Sequence, residues 1–193
     1  LKRGRKGMVR AAFDVKEAFP TMSLDRLWQL ACSERWDPEA RRALQCLVRA
    51  CQEASAVVSD SSGDECLVWV RRGVRQGDAS GPLLFRLGFQ EILEEVNDKL
   101  REGGVGGMKW CMTVDEGVDE EPQIQHHQVP CSLVAYADDT EAFATAGGGT
   151  GAEYNHTAGQ LCQEFSEVLT EWTMELNEAK TEFMGRPRDK GSV

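Results

Sequence analysis

Leu133-Val-Ala-Tyr-Ala-Asp-Asp-Thr-Glu-Ala-Phe143 (LVAYADDTEAF, residues 133–143) sets two adjacent carboxylates, Asp138 and Asp139, between two apolar stretches of strand-like composition. The pattern predicts a β-hairpin with the acids at its turn. Two neighbouring carboxylates repel by about 4 kcal/mol at ~4 Å and an effective dielectric of ~20, so such a tip is favourable mainly when a cation sits on it. A hard divalent ion such as Mg2+ suits the place, because it takes oxygen ligands and keeps positions open for water and phosphate. An Asp-Asp pair alone is more often a solvated turn. A third acid strengthens the case. Met8 to Val15 (MVRAAFDV) reads as a short buried strand that delivers Asp14 at its tip. If the two strands are neighbours, three carboxylates converge, and two metal ions about 3.5–4 Å apart could clamp the attacking and leaving oxygens of a phosphoryl transfer.

Outward from these acids the chain alternates strands and helices without a strict repeat, which predicts an α+β fold with a small antiparallel sheet and helices packed on one face. Ser23 is placed to cap a helix through Leu24, Leu27, Trp28 and Leu30, and Asp37-Pro38 opens a second one through Ala43, Leu44, Leu47 and Val48. Residues 56–70 read as two strands around the turn SSGDE, and Pro82 to Leu100 has helical apolar spacing. Residues 103–130 read as a hairpin with an acidic, solvated loop insertion (VDEGVDEEP), followed by a strand running into Tyr136-Ala-Asp-Asp139. AGGGTGAE reads as a flexible connection ahead of a helix from Leu161 through Trp172. His126 and His127 fall in a polar loop without partnered Cys spacing and read as solvated side chains, not ligands.

The 193 residues are enough for one compact core but few for two, so a single domain over 1–193 is expected. The net charge of −10 is unusual for a nucleic-acid binder, which commonly presents a basic face. The basic residues are unevenly placed, however. Lys2, Arg3, Arg5, Lys6 and Arg10 crowd one end, and Arg71, Arg72 and Arg75 precede a glycine turn. Seven Cys without a C-x-x-C pair exclude a zinc ribbon or thioredoxin-type site and suggest a reducing, intracellular compartment, cytoplasmic or nuclear. No segment approaches the ~20 apolar residues of a membrane span.

FDVKEAF (13–19), RRGVRQGDASGPLLF (71–85), YADD (136–139) and LNEAKTEFM (176–184) resemble, in that order, the palm motifs of reverse transcriptases, most closely those of non-long-terminal-repeat retrotransposons and group II introns. The resemblance implies an RNA-directed DNA polymerase palm that extends a DNA primer on an RNA template with deoxynucleoside triphosphates and two Mg2+ ions, with Mn2+ as an alternative. It implies that Asp14, Asp138 and Asp139 hold the metals and that Tyr136 lies at the primer end. Phe19 falls where the family has an aromatic under the incoming sugar that helps exclude a 2′-hydroxyl, although a core Phe after a strand accounts for it equally well. Gln76 and Gly77 match the family's Q-G turn against nucleotide and template, where glycine permits close backbone approach. A plain hairpin turn explains Gly77 alone, but not the Gln and the PLLF helix together. Asn177 and Lys180 match N-x-x-K, in which the lysine protonates or charge-stabilises the departing pyrophosphate; a surface lysine is the alternative. Arg75 is a phosphate contact on the same resemblance.

The chain also departs from the pattern. Between Q-G-x and P-L-L-F it has Ala79, Ser80 and Gly81 where the family has proline, an apolar residue and serine. The displaced serine is expected to loosen that turn. Finger motifs before the first palm strand are mostly missing and no thumb follows Met184, so other domains of a longer polyprotein are expected. Two rival readings keep the fold: an inactive or truncated retroelement relic, and a palm of an RNA-dependent RNA polymerase. Phe19 and Y-A-D-D, in place of a glycine-led G-D-D, lean toward deoxynucleotide use.

Overall fold

The computed structural model describes residues 7–75, 77, 79–115, 124–131, 133–136, 139–146 and 150–186. By its internal contacts the chain divides into two compact units, one of Leu1–Asp14, Glu95–Phe165 and Glu178–Val193, the other of Val15–Glu94 and Ser166–Asn177.

The first unit is built on an antiparallel sheet. Strand β1 (Gly7–Phe13) lies between β10 (Glu182–Arg186) and β8 (Asp139–Ala146). The far edge of β8 is shared. Strand β7 (Leu133–Tyr136) pairs with its first half, and β5 (Gly106–Asp115) with its end through Gly106 and Gly107. Strand β6 (Ile124–Cys131) pairs with β5 along its length. Side chains alternate across β1 and β8, so Val9, Ala11 and Phe13 share a buried face with Thr140, Ala142, Ala144 and Ala146. Small alanines leave room there for helix α5 (Gly151–Glu171). Phe165 of α5 stacks on Phe13 with ring centroids 4.6 Å apart. Near the helix start, the Tyr154 ring lies over Gly185, where a Cβ would stand 1.5 Å from it. That glycine is opposite Val9, so the helix covers the same face from Phe13 to the edge strand.

In the second unit, β2 (Val15–Lys16) pairs with β9 (Glu175–Leu176), and helices α1 (Ala18–Thr21), α2 (Leu24–Cys32) and α3 (Pro38–Gln52) follow. The Ser23 cap is the one the sequence predicts, its hydroxyl accepting from Arg26 N–H, and at the start of α3 the Asp37 carboxylate accepts from the N–H groups of Glu39 and Ala40. Strands β3 (Ser55–Ser59) and β4 (Glu65–Trp69) form the expected hairpin. Gly88, on helix α4 (Ser80–Glu102), lets Met22, Leu27 and Trp172 close on it; a Cβ there would stand 2.8 Å from the Met22 sulfur. With Phe85, Phe89 and Ile92 these side chains make a buried core.

The architecture is α+β with small antiparallel sheets, as the sequence predicts. Three local expectations differ. Helix α5 starts ten residues before Leu161, because Thr150 and Glu153 form a capping box: the Thr150 N–H donates to the Glu153 carboxylate at 3.1 Å and the Glu153 N–H donates to the Thr150 hydroxyl at 3.3 Å. His126 and His127 belong to strand β6, not to a loop. The run into Tyr136 is divided between β6 and β7, which pair with different strands. The basic cluster at 2–6 and most of the acidic loop, from 116 on, lie outside the described residues. No helix among the described residues is long and apolar enough to cross a membrane.

Candidate active site

Asp14 follows the last residue of β1, where the ladder pairs Phe13 with Thr140. Asp14 and Asp139 are each one residue beyond that last pair, so both come to the same end of the sheet. Alternation puts both on the face of the sheet away from α5. The same outward row holds Tyr136, which pairs with Asp139 and is 86% exposed. Tyr136 and Asp139 flank a two-residue connection, the tight hairpin expected for Y-A-D-D. Asp138 sits in that connection and lies outside the described residues.

Lys180 arrives at the same end. Its turn, Glu178–Lys180, runs into β10, whose Glu182 pairs with Ala12 two residues before Asp14. The Lys180 ammonium stands 3.6 Å from Asp14 Oδ2, with the lysine side chain 69% and the aspartate 26% exposed. One turn of register back, Arg10 donates from Nε to Glu141 Oε2 at 3.0 Å and from Nη2 to Oε1. Its donated hydrogen bonds hold the Glu141 carboxyl below the usual carboxylate range, and Glu141 raises the Arg10 guanidinium in turn.

The second unit holds the other candidates. Phe19, in α1, stacks on Phe85 of α4 with centroids 4.1 Å apart and planes 10° off parallel, and Phe85 stacks on Phe89 at 5.2 Å. The segment carrying Arg75 is laced to α1 and the residue that follows it: Val74 N–H donates to Phe19 O at 2.9 Å and Gly73 N–H to Met22 O at 2.8 Å. Gly73, at φ +86°, presses on Pro20, whose carbonyl oxygen would be 2.4 Å from a Cβ. Gly77 also has positive φ, and Arg75 and Gly77 are both exposed. Gln76 lies outside the described residues. The Arg75 carbonyl oxygen occupies the place a Gly81 Cβ would take, 1.9 Å away, so the glycine that replaces the family's serine lets backbone pack on the first turn of α4.

The sequence predicts the strand ending at Asp14 beside the hairpin that bears Asp139, and β1 does pair with β8; Tyr136 and Lys180 stand at the same end of that sheet. It passed over Glu141 and Phe85. The signal for Arg10 was its place in the row Met8, Arg10, Ala12, Asp14, where a charge interrupts an otherwise uncharged stretch before the acid. Among the described residues no three His, Cys, Asp or Glu side chains form a ready metal cage. Asp14 and Asp139 contribute two carboxylates, an all-oxygen donor pair that fits a hard divalent cation.

A family model described as reverse transcriptase (RNA-dependent DNA polymerase) matches residues 1–189. No curated protein sequence matches the chain. Among solved structures it is similar to apo telomerase from Candida tropicalis truncated from its C-terminal domain, at 14% identity and TM-score 0.62 over 100% of this chain and 33% of that one. Candida tropicalis telomerase in complex with a fragment of telomeric RNA is similar at 14% identity and TM-score 0.66, over 100% of this chain and 28% of that one. The corresponding Candida albicans complex has 14% identity and TM-score 0.61, over 96% of this chain and 29% of that one. At such identity the likeness is one of fold, and the chain spans a third or less of the length of these structures.

Proposed function

The chain belongs to the reverse transcriptase (RNA-dependent DNA polymerase) family, and from that membership we propose that it is the palm of an RNA-directed DNA polymerase that extends a DNA primer on an RNA template by two-metal nucleotidyl transfer. The observation that carries the reading is the β1–β8 register, whose last pair, Phe13 and Thr140, brings the neighbouring Asp14 and Asp139 to one end of the sheet beside the Y-A-D-D connection. Asp14, Asp138 and Asp139 would hold two Mg2+ ions, with Mn2+ as the alternative, and these supply charge neutralisation at the attacking 3′-hydroxyl and the departing pyrophosphate. Lys180, exposed and 3.6 Å from Asp14 Oδ2, donates a proton or a positive charge to the leaving group. Tyr136 offers the primer end an aromatic surface. Phe19 stands under the incoming sugar, and Arg75, Gln76 and Gly77 contact the nucleotide with side chain and backbone.

In this reading residues 1–193 serve as one palm within a longer polypeptide of a retroelement, working inside the cell. The wording of the motifs, FDVKEAF and LNEAKTEFM above all, favours the non-long-terminal-repeat and group II intron type. The test is primer extension on an RNA template with the palm joined to its neighbouring domains. Asp14→Asn, Asp138→Asn and Asp139→Asn remove charge but keep size, so each metal ligand should lose Mg2+-dependent synthesis while thermal unfolding stays level or rises, as repulsion between the acids is relieved. Full synthesis by Asp138→Asn together with Asp14→Asn would refute the metal assignment.

A further inference from the structure

Four acidic residues occupy neighbouring register positions at one end of the open sheet face. Glu141 and Glu182 both pair with Ala12, one from each neighbouring strand, and Asp14 and Asp139 come next along the same rows. Ala12 offers only a methyl group between the two glutamates. Glu141 stands two residues from Asp139, about 7 Å along the strand, a gap that an unrestrained glutamate side chain can span. The two cations placed among these acids differ in kind. Lys180 is a single point charge on an exposed stem that approaches Asp14 at 3.6 Å. Arg10 is a rigid fork that engages both oxygens of Glu141.

Resting on the cation reading above, we infer that Arg10 is a positioning residue that decides which carboxylates a divalent ion can use. By occupying both Glu141 oxygens it keeps that side chain out of the ion's coordination sphere. Mg2+ works with one or two carboxylates and several replaceable waters. A further carboxylate would take the place of a water and tighten binding while closing a position that phosphate needs. Lys180, by contrast, is a counter-charge that can leave when the ion arrives. The sheet thus carries one fixed and one releasable cation, each against its own acid.

The experiment is terbium luminescence on the whole chain, using Tb3+ as a hard probe of oxygen sites, with lifetimes in H2O and D2O to count bound waters. Arg10→Met should bind Tb3+ roughly tenfold more tightly, the scale of outer-shell effects on metal sites, and should lose about one bound water as a Glu141 oxygen replaces it. Arg10→Met/Glu141→Gln should return both readouts to the wild-type values, and Glu141→Gln alone should change neither. Tighter binding with an unchanged water count would mean that Arg10 acts only through its field, and the inference would be wrong. Unchanged affinity in Arg10→Met would overturn it as well. Where Arg10→Met does not fold, Arg10→Lys keeps the charge and removes the fork; it should show the same water loss, reversed by Glu141→Gln, and no water loss rejects the inference. Asp14→Asn and Asp139→Asn separate the two levels. If neither weakens Tb3+ binding to the otherwise native chain, the cation reading itself has failed; if both do and Arg10→Met changes nothing, only the role of Arg10 falls.

Discussion

The Lys180 ammonium lies 3.6 Å from Asp14 Oδ2, although the two residues are 166 positions apart in the chain (180 − 14). The pairing follows from β10 running antiparallel to β1, which returns the turn at 178–180 to the end of the strand that Asp14 follows. An exposed pair of this kind contributes about 0–1 kcal/mol to folding. Lys180→Met should therefore leave the unfolding free energy within about 1 kcal/mol of wild type. Single-turnover synthesis should fall by about 10²-fold, the lower end of general acid catalysis. Rapid-quench kinetics beside urea unfolding reads both, and a large stability loss with normal kinetics would assign Lys180 to structure alone.

Thr140 points the other way from the acids beside it. Its hydroxyl is buried against the α5 side of the sheet and has no hydrogen-bond partner among the described residues. A buried donor without a partner costs about 1–3 kcal/mol, and an apolar group of the same shape removes that cost. Thr140→Val should raise stability by about 1 kcal/mol, seen as a higher denaturant midpoint with an unchanged slope. A lower midpoint would show that the hydroxyl has a partner in the native protein.

Local signals were legible in the sequence, and pairings between distant segments were not. The hairpin at Y-A-D-D, the cap at Ser23, the helix after Asp37-Pro38 and the turn at SSGDE are local signals, set by residues a few positions apart, and each is found where the sequence puts it. The start of α5 was hidden because a glycine run reads as a linker, while the Thr150–Glu153 box that overrides it needs only two residues. The Arg10–Glu141 pair spans 131 positions and depends on the register between β1 and β8, which no local pattern encodes. The same holds for Phe85 beneath Phe19: helical spacing predicts α4, but not which turn of it meets α1.

Glu141 makes acid stability predictable. Its carboxyl is held below the usual range in the folded chain by the hydrogen bonds from Arg10, while in the unfolded chain it titrates near ~4.3. A depressed folded value means that the unfolded state binds the proton first, so this group's contribution is present above pH ~4.3 and is lost as pH falls through the folded value. Arg10 stays protonated throughout. Asp60 acts in the same sense, its carboxylate accepting from the Asp64 and Ser62 N–H groups and the Ser62 hydroxyl at the β3–β4 turn. Urea midpoints followed downward from pH 6 should decline less steeply below pH ~5 in Glu141→Gln than in wild type. Parallel declines would mean that Arg10 does not hold Glu141 in solution.

Phe19 and Phe85 test substrate choice without touching the acids. Phe19 is half-buried and rests face to face on Phe85, which is itself buried and backed by Phe89. If Phe19 forms the wall under the sugar, Phe19→Ala opens it, and the ratio of deoxy- to ribonucleotide use should fall by roughly 10–100-fold while synthesis continues. Phe85→Leu removes the stacked support but leaves Phe19 in place. It should lower discrimination partway, because an unsupported ring can tilt from a 2′-hydroxyl. It should also cost about 1 kcal/mol of stability, as expected of a buried aromatic replaced by a smaller apolar side chain. Primer extension with each nucleotide type, run beside thermal unfolding, separates these effects. A Phe85→Leu protein that is less stable but as selective as wild type would reduce the stack to packing, and unchanged selectivity in Phe19→Ala would make Phe19 a core residue and no more.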